Sequence, residues 1–109
     1  MLLLLTTILL TLARSEDTAV NQYAQCAFIA GMRAQAADAS EAEKKAWRER
    51  ARKYLDKVVA LAFSGKTPTH AQLDAIINKA SDSFEDKMKD MDGDEMELMF
   101  SEHIMMCDV

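Results

Sequence analysis

The chain has 109 residues, of which 6% are aromatic, and a net charge of −5. This length gives room for one hydrophobic core and no second domain. The negative charge argues against a general affinity for nucleic acid or anionic lipid. Alanine, methionine, leucine, glutamate and lysine, all strong helix formers, are abundant. The composition therefore favours an all-α protein.

An apolar run over residues 2–12, interrupted only by threonines, opens the chain, and small residues follow it. At 1.5 Å per residue the run spans about 16 Å, half of a ~30 Å hydrocarbon core. It is too short for a membrane anchor and predicts a secretory signal peptide over residues 1–15, cleaved near 13–15. The remainder, 16–109, is predicted to be a single helical domain with no stable membrane insertion. The alternative is a buried first helix.

Two segments with helical periodicity follow. The first, over 18–37, repeats small and apolar residues three and four positions apart. Ser40 and Glu43 then form a capping box, in which a hydroxyl and a carboxylate satisfy first-turn amides reciprocally. The capping box opens a second helix, and Gly65 is expected to end it in a left-handed conformation.

The third segment has two possible starts. Pro68 fits the first helical position, where its missing N–H is no loss, and Thr69 with Gln72 forms an alternative capping box. Gly93 breaks this helix, and Asp94 is predicted to cap a short last one. Because the connections are short, neighbouring helices should be antiparallel. The sequence thus predicts an up-down four-helix bundle, with the last helix short, preceded by a signal peptide.

The predicted core consists of the apolar stripes of these helices. Its members are Tyr23, Ala27, Trp47, Tyr54, Leu55, Val58, Leu61, Leu73, Ile76, Ile77, Ala80, Phe84, Phe100 and Ile104. Cys26 and Cys107 lie near opposite ends of the mature chain, and an even pair in an oxidising compartment predicts one disulfide. The first and last helices of an up-down bundle are antiparallel, which brings these two positions together. A periplasmic or secreted location follows from the signal peptide and the bridge.

Charge is unevenly distributed along the chain. Basic residues crowd the early part of the second helix: Lys44, Lys45, Arg48, Arg50, Arg52, Lys53 and Lys57. Acidic residues crowd the end of the third helix and the start of the fourth: Glu85, Asp86, Asp90, Asp92, Asp94, Glu95 and Glu97. The two clusters share one end of an antiparallel pair and can offset each other. A nucleic-acid face is disfavoured, because Trp47 and Tyr54 belong to the apolar stripe.

No motif predicts catalysis or a bound cofactor. A calcium loop with Gly93 as its invariant glycine would place Met88 and Met99 at positions that need oxygen donors. His103 and Cys107 stand one turn apart, as a base and a thiol might, yet nothing marks an oxyanion hole or a third orienting group. The sequence therefore predicts a protein that is not an enzyme.

The last helix is rich in soft metal ligands. Met96, Met99, His103 and Met106 recur three and four residues apart, and thioethers and imidazole suit Cu(I). Methionine is equally an ordinary filler of helical cores. No metal site is predicted as the first interpretation, and periplasmic Cu(I) binding by these four residues is the alternative function.

Three stretches and a late cysteine resemble a loose group of small, signal-bearing helical proteins of Gram-negative bacteria. They are residues 23–30, 54–62 and 84–91, together with Cys107. The resemblance implies an exported helical protein and no particular activity. Secreted immunity proteins and periplasmic inhibitors have the same size and style, which is an analogy.

A partner-binding patch is predicted on the first helix. Phe28, Ile29 and Met32 stand among amides on the side away from the small-residue stripe, and an apolar patch with a polar rim is typical of a contact site. The partner would be an unidentified protein or a second copy in a homodimer. The alternative is a central first helix that buries both sides. The predicted function is a non-catalytic protein-binding or inhibitor/immunity-like module.

Overall fold

The computed structural model describes the backbone of residues 2–108 and the side chains of residues 18–108. Four helices account for the regular structure of this part of the chain: α1 (Leu2–Arg33), α2 (Glu41–Ala62), α3 (His70–Met88) and α4 (Gly93–Cys107). No strand occurs among the described residues. The predicted all-α fold is confirmed.

The predicted signal peptide, residues 1–15, lies outside the residues whose side chains are described. It stays a prediction. Within the described part of the chain, no helix combines the length and the apolar character needed to cross a membrane.

The order of the helices is up-down, and α1 stands at the centre. Each of α2, α3 and α4 packs more extensively on α1 than on the others. Arg33 lies over the ring of Trp47, whereas Ala24, nine positions earlier, packs with Val58. The contacts move toward the start of α1 as they move toward the end of α2. The two helices are therefore antiparallel.

The other two helices complete the alternation. Phe28 stacks on Phe84, and Ala24 packs with Ala80 one turn below, so α3 runs parallel to α1. Cys26 is bonded to Cys107 and Arg33 pairs with Glu97, so α4 runs antiparallel to α1. The predicted bundle is therefore correct in its topology.

Local signals set most helix ends. The capping box at Ser40 is present, with the Ser40 hydroxyl accepting from the Glu43 N–H at 3.1 Å. Gly65 takes the left-handed conformation, φ 78°, and donates its N–H to the Val59 carbonyl after α2 ends. Thr69, with Gln72, caps α3, so the second of the two predicted starts is the correct one.

Two predicted helix starts are wrong. Pro68 is not the first residue of α3, because the Thr69 side chain already satisfies the first-turn amide. Asp94 is not the cap of α4, because Asp92 has the extended backbone of an N-cap and its carboxylate accepts from the Glu95 N–H at 2.8 Å. Gly93 is consequently the first residue of α4.

The core is built around α1. Four successive residues of this helix, 24–27, are buried, which is possible only for a helix with neighbours on every side. The largest fully buried side chains are Phe84, Ile29, Val58 and Cys26. Ala24, Ala30 and Ala34, which the sequence places on the small-residue stripe of the first helix, belong to this core, and so does Ile29, which was predicted at the surface.

The predicted core residues fall into three groups. Six are buried: Ala27, Tyr54, Val58, Ala80, Phe84 and Ile104. Seven are half-buried and pack against the core: Tyr23, Trp47, Leu55, Leu73, Ile76, Ile77 and Phe100. Leu61 is 42% exposed in the last turn of α2, so its assignment to the core is wrong.

The disulfide joins the last third of α1 to the end of α4. Cys26 and Cys107 are bonded, with their Cα atoms 6.7 Å apart and a sequence separation of 81. Both side chains are buried. The predicted bridge is confirmed.

Replacing both cysteines by alanine should destabilise the fold markedly. A bridge that closes a loop of this size is worth roughly 4–5 kcal/mol in the chain-entropy account. Urea denaturation would measure the free energy of unfolding of the Cys26→Ala/Cys107→Ala protein against wild type. Reduced wild type is the control and should match the variant. An unchanged midpoint would contradict a bridge that constrains the unfolded chain.

Candidate partner-binding groove

One of the three residues of the patch predicted on α1 lies in the core. Ile29 is 0% exposed and belongs to the core. Phe28 is half-buried, and its ring stacks on Phe84 with 6.2 Å between centroids. Met32 is half-buried as well. The prediction is wrong for Ile29, and the alternative of a central first helix accounts for the burial of this residue. A partner-binding role of Phe28 and Met32 stays a prediction.

The structure instead has a groove of about 560 Å³ beside α1. Its lining comes from the end of α1 and the two residues after it, from α2 and from the first part of α3: Gly31, Ala34, Gln35, Arg48, Ala51, Arg52, Leu55, Asp56, Val59 and Leu73. Helix α1 forms the floor, α2 forms one wall, and Leu73 of α3 closes one end. A concave, largely apolar surface with a few polar groups at its edge is typical of a binding site.

Small residues create the groove. A Cβ atom added at Gly31 would have no neighbour within 4 Å, so this position of α1 faces open space. Ala34, just after α1, and Ala51 of α2 are also short. Leu55 and Val59 are half-buried along the wall.

The rim of the groove on α2 is charged. Arg48 and Arg52 are exposed and stand one helical turn apart, and Asp56 follows one turn later. Paired guanidinium groups favour carboxylates as ligands, since each can form two parallel hydrogen bonds with one. The groove therefore suits an apolar segment that carries carboxylates.

The opposite edge of α2 is fixed to α1 by stacked arginines. The guanidinium carbon of Arg33 lies 4.7 Å from the centre of the Trp47 ring, and that of Arg50 lies 4.5 Å from it. Each contact is a cation–π interaction, which is worth more as water is excluded. Arg33 also donates to Glu97 of α4 at 2.6 Å.

Asp108 continues this network at the end of α4. Its carboxylate accepts hydrogen bonds from Arg50 and, at 2.7 Å, from the Tyr54 hydroxyl. Burial raises the pKa of Tyr54, and the hydrogen bond to Asp108 raises this pKa further, while Arg50 opposes the shift. The network holds α2 against α1 and α4, which leaves its other edge to form the groove wall.

The ion pairs between helices differ from the pairing that was predicted between the basic and the acidic cluster. The inter-helix ion pairs of the described residues are Arg33 with Glu97 and Arg50 with Asp108. They connect α1 and α2 to α4, whereas the predicted partners of the basic cluster were also at the end of α3. Trp47 was expected only as a core residue, and its position between two arginines was missed.

The soft ligands of α4 have mixed environments. Met96 and Met99 are half-buried, and Met99 packs against the core. His103 donates from Nδ1 to the Met99 carbonyl at 2.9 Å, so Nε2 of the neutral ring keeps its lone pair. Met106 is exposed and lines a small cleft together with His103. Among the described residues no group of three His, Cys, Asp or Glu could hold a metal ion.

Comparison of the chain with protein-family models, with curated proteins and with solved structures finds no match. The resemblance to small signal-bearing helical proteins stays a prediction.

The burial of Tyr54 and its hydrogen bond to Asp108 should give the protein a specific pH dependence. Because the folded pKa of Tyr54 is raised, the unfolded chain loses its phenolic proton first, and stability falls as pH rises above about 10. Tyr54→Phe should cost about 1 kcal/mol near pH 7, through the lost hydrogen bond. The difference between the two proteins should shrink above about pH 10. Urea denaturation across this range measures it, and a constant difference would contradict the assignment.

Proposed function

We propose that this chain is an exported, non-catalytic protein-binding module, similar in style to small inhibitor or immunity proteins. The groove beside α1 carries the proposal, because it is apolar along its length and has two arginines on one rim. The ligand it suits is a protein segment that presents apolar side chains flanked by carboxylates, such as an acidic amphipathic helix.

Export is supported by two features. The buried Cys26–Cys107 bridge belongs to an oxidising compartment. The apolar run over residues 2–12 has the length of a signal peptide and not of an anchor. Together they favour the periplasm or the extracellular space.

A non-catalytic role is supported by the state of the candidate groups. Cys107 is bonded to Cys26, so it offers no thiol to pair with His103 as a base. His103 itself donates to a main-chain carbonyl and packs against Phe84, with 5.0 Å between ring centres. His70 is exposed at the start of α3.

Filling the groove should abolish partner binding without unfolding the protein. Gly31→Leu would project into open space, and loss of a helical glycine favours folding by roughly 1 kcal/mol. Gly93→Leu is the matched control, because a side chain at Gly93 also meets nothing within 4 Å and lies outside the groove. Both variants should keep the wild-type thermal midpoint or exceed it.

A photo-crosslinking residue at Val59, in the groove wall, would report the contact in producing cells. We expect one discrete adduct with a protein in wild type and in the control Gly93→Leu. Gly31→Leu should lose this adduct. An adduct that persists in folded Gly31→Leu, or no adduct in any of the three proteins, would contradict the proposal.

Cu(I) binding is the second candidate, favoured by the free Nε2 of His103 in the cleft that Met106 also lines. Competition with a Cu(I) chelator, with ascorbate as the reductant, distinguishes the two functions. Tight binding that is lost in Met99→Leu/Met106→Leu would replace protein binding as the preferred function.

A further inference from the structure

The outer face of α4 is apolar where the helix has no neighbour. Leu98 is 62% exposed and Met105 is 69% exposed, and they stand two turns apart on the same face. Three of the four exposed large hydrophobic side chains of the described residues belong to this helix. Single exposed leucines need no explanation, but a repeated pair on an outer face is typical of a contact surface.

Carboxylates flank this pair. Asp94 and Glu102 are exposed, one turn before and one turn after Leu98. The outer face of α4, defined here as Asp94, Leu98, Glu102 and Met105, is thus a short acidic amphipathic surface. It has the chemistry that the groove requires: apolar side chains for the wall of Leu55 and Val59, and carboxylates for the rim.

We propose that the groove of one copy binds the outer face of α4 of a second copy. The proposal rests on the groove being a protein-binding site and names one partner for it. Charge complementarity carries the choice of partner, because the rim has Arg48 and Arg52 against a single Asp56, whereas the outer face of α4 has only acidic charges.

The two surfaces lie on opposite sides of α1. Cys26 and Arg33 of α1 face α4, whereas Gly31 of α1 lines the groove. At about 100° per residue Gly31 points away from the direction of Cys26 and Arg33. When the groove of one copy binds α4 of a second copy, the groove of the second copy therefore cannot bind α4 of the first. The association is head-to-tail and open-ended.

The contact should be weak. One helix face in one groove covers less than the ~800 Å² per partner of a standard interface. We expect association at concentrations on the order of 0.1 mM, in the range where a separate, better-fitting protein could displace the second copy. Because the charges involved are exposed, added salt should weaken it.

Sedimentation equilibrium of the purified chain, from about 10 µM to about 1 mM, tests the proposal. The weight-average mass of wild type should rise with concentration and pass the dimer. Leu98→Glu/Met105→Glu keeps the groove, and Arg48→Glu/Arg52→Glu keeps the outer face of α4. Each alone should associate at least tenfold more weakly than wild type.

A mixture of the two variants gives the sharpest result. The intact groove of one should bind the intact α4 of the other, so the mixture should form a heterodimer that grows no further. Lys53→Glu/Lys57→Glu, an equal charge change at two exposed residues of α2 that do not line the groove, should associate like wild type or better.

Three outcomes would overturn the proposal: a monomer at every concentration, association that persists in either variant, or a mixture that stays monomeric. None of them bears on the Val59 crosslink to a different protein. Failure of self-association is thus distinguishable from failure of the groove as a binding site.

Discussion

The burial of residues 24–27 of α1 on all sides is the constraint from which the rest of this structure follows. Ala24, Ala27 and Ala30 are buried against different neighbours, and short side chains at these positions let three helices approach one axis closely. Since α2, α3 and α4 contact α1 more than one another, α1 carries most of the interhelical packing. A larger residue at Ala24 or Ala30 would have no space to occupy, and overpacking a core is destabilising.

The second constraint is the attachment of the chain's end. The bridge to Cys26 places Asp108 where its carboxylate can bond Arg50 and Tyr54 of α2. Covalent and polar contacts therefore hold one edge of α2 against α1 and α4. The other edge forms the wall of the groove, which small residues leave open. The position of the candidate binding site is in this way a consequence of the disulfide and of the network around Trp47.

The features that sequence reasoning predicted correctly have local causes. Capping boxes at Ser40 and Thr69 depend on residues three positions apart, and the helices depend on periodicity. The disulfide was predictable because only two cysteines exist and the up-down order brings them together. Asp92 was missed as a cap because Asp94 carries an equally good signal two residues later, and geometry alone decides between them.

The features that were missed depend on the arrangement of whole helices. Periodicity shows which way a side chain of α1 points but not how many helices surround it, so Ile29 was predicted at the surface and is in the core. Leu61 has the correct direction for the core, yet it lies in the last turn of α2 and is exposed. The two arginines on Trp47 come from different helices, and the groove exists only between helices. Neither leaves a signal in a single stretch of sequence.

Amide hydrogen exchange of the native protein tests the central role of α1 most directly. Amides that open only on global unfolding exchange slowest, and those of peripheral helices open locally at lower free energy. We predict that the amides of residues 24–30 exchange with free energies equal to that of global unfolding, while the interiors of α3 and α4 exchange faster. If residues 24–30 exchange by local opening while α3 stays protected, α1 does not hold the bundle together.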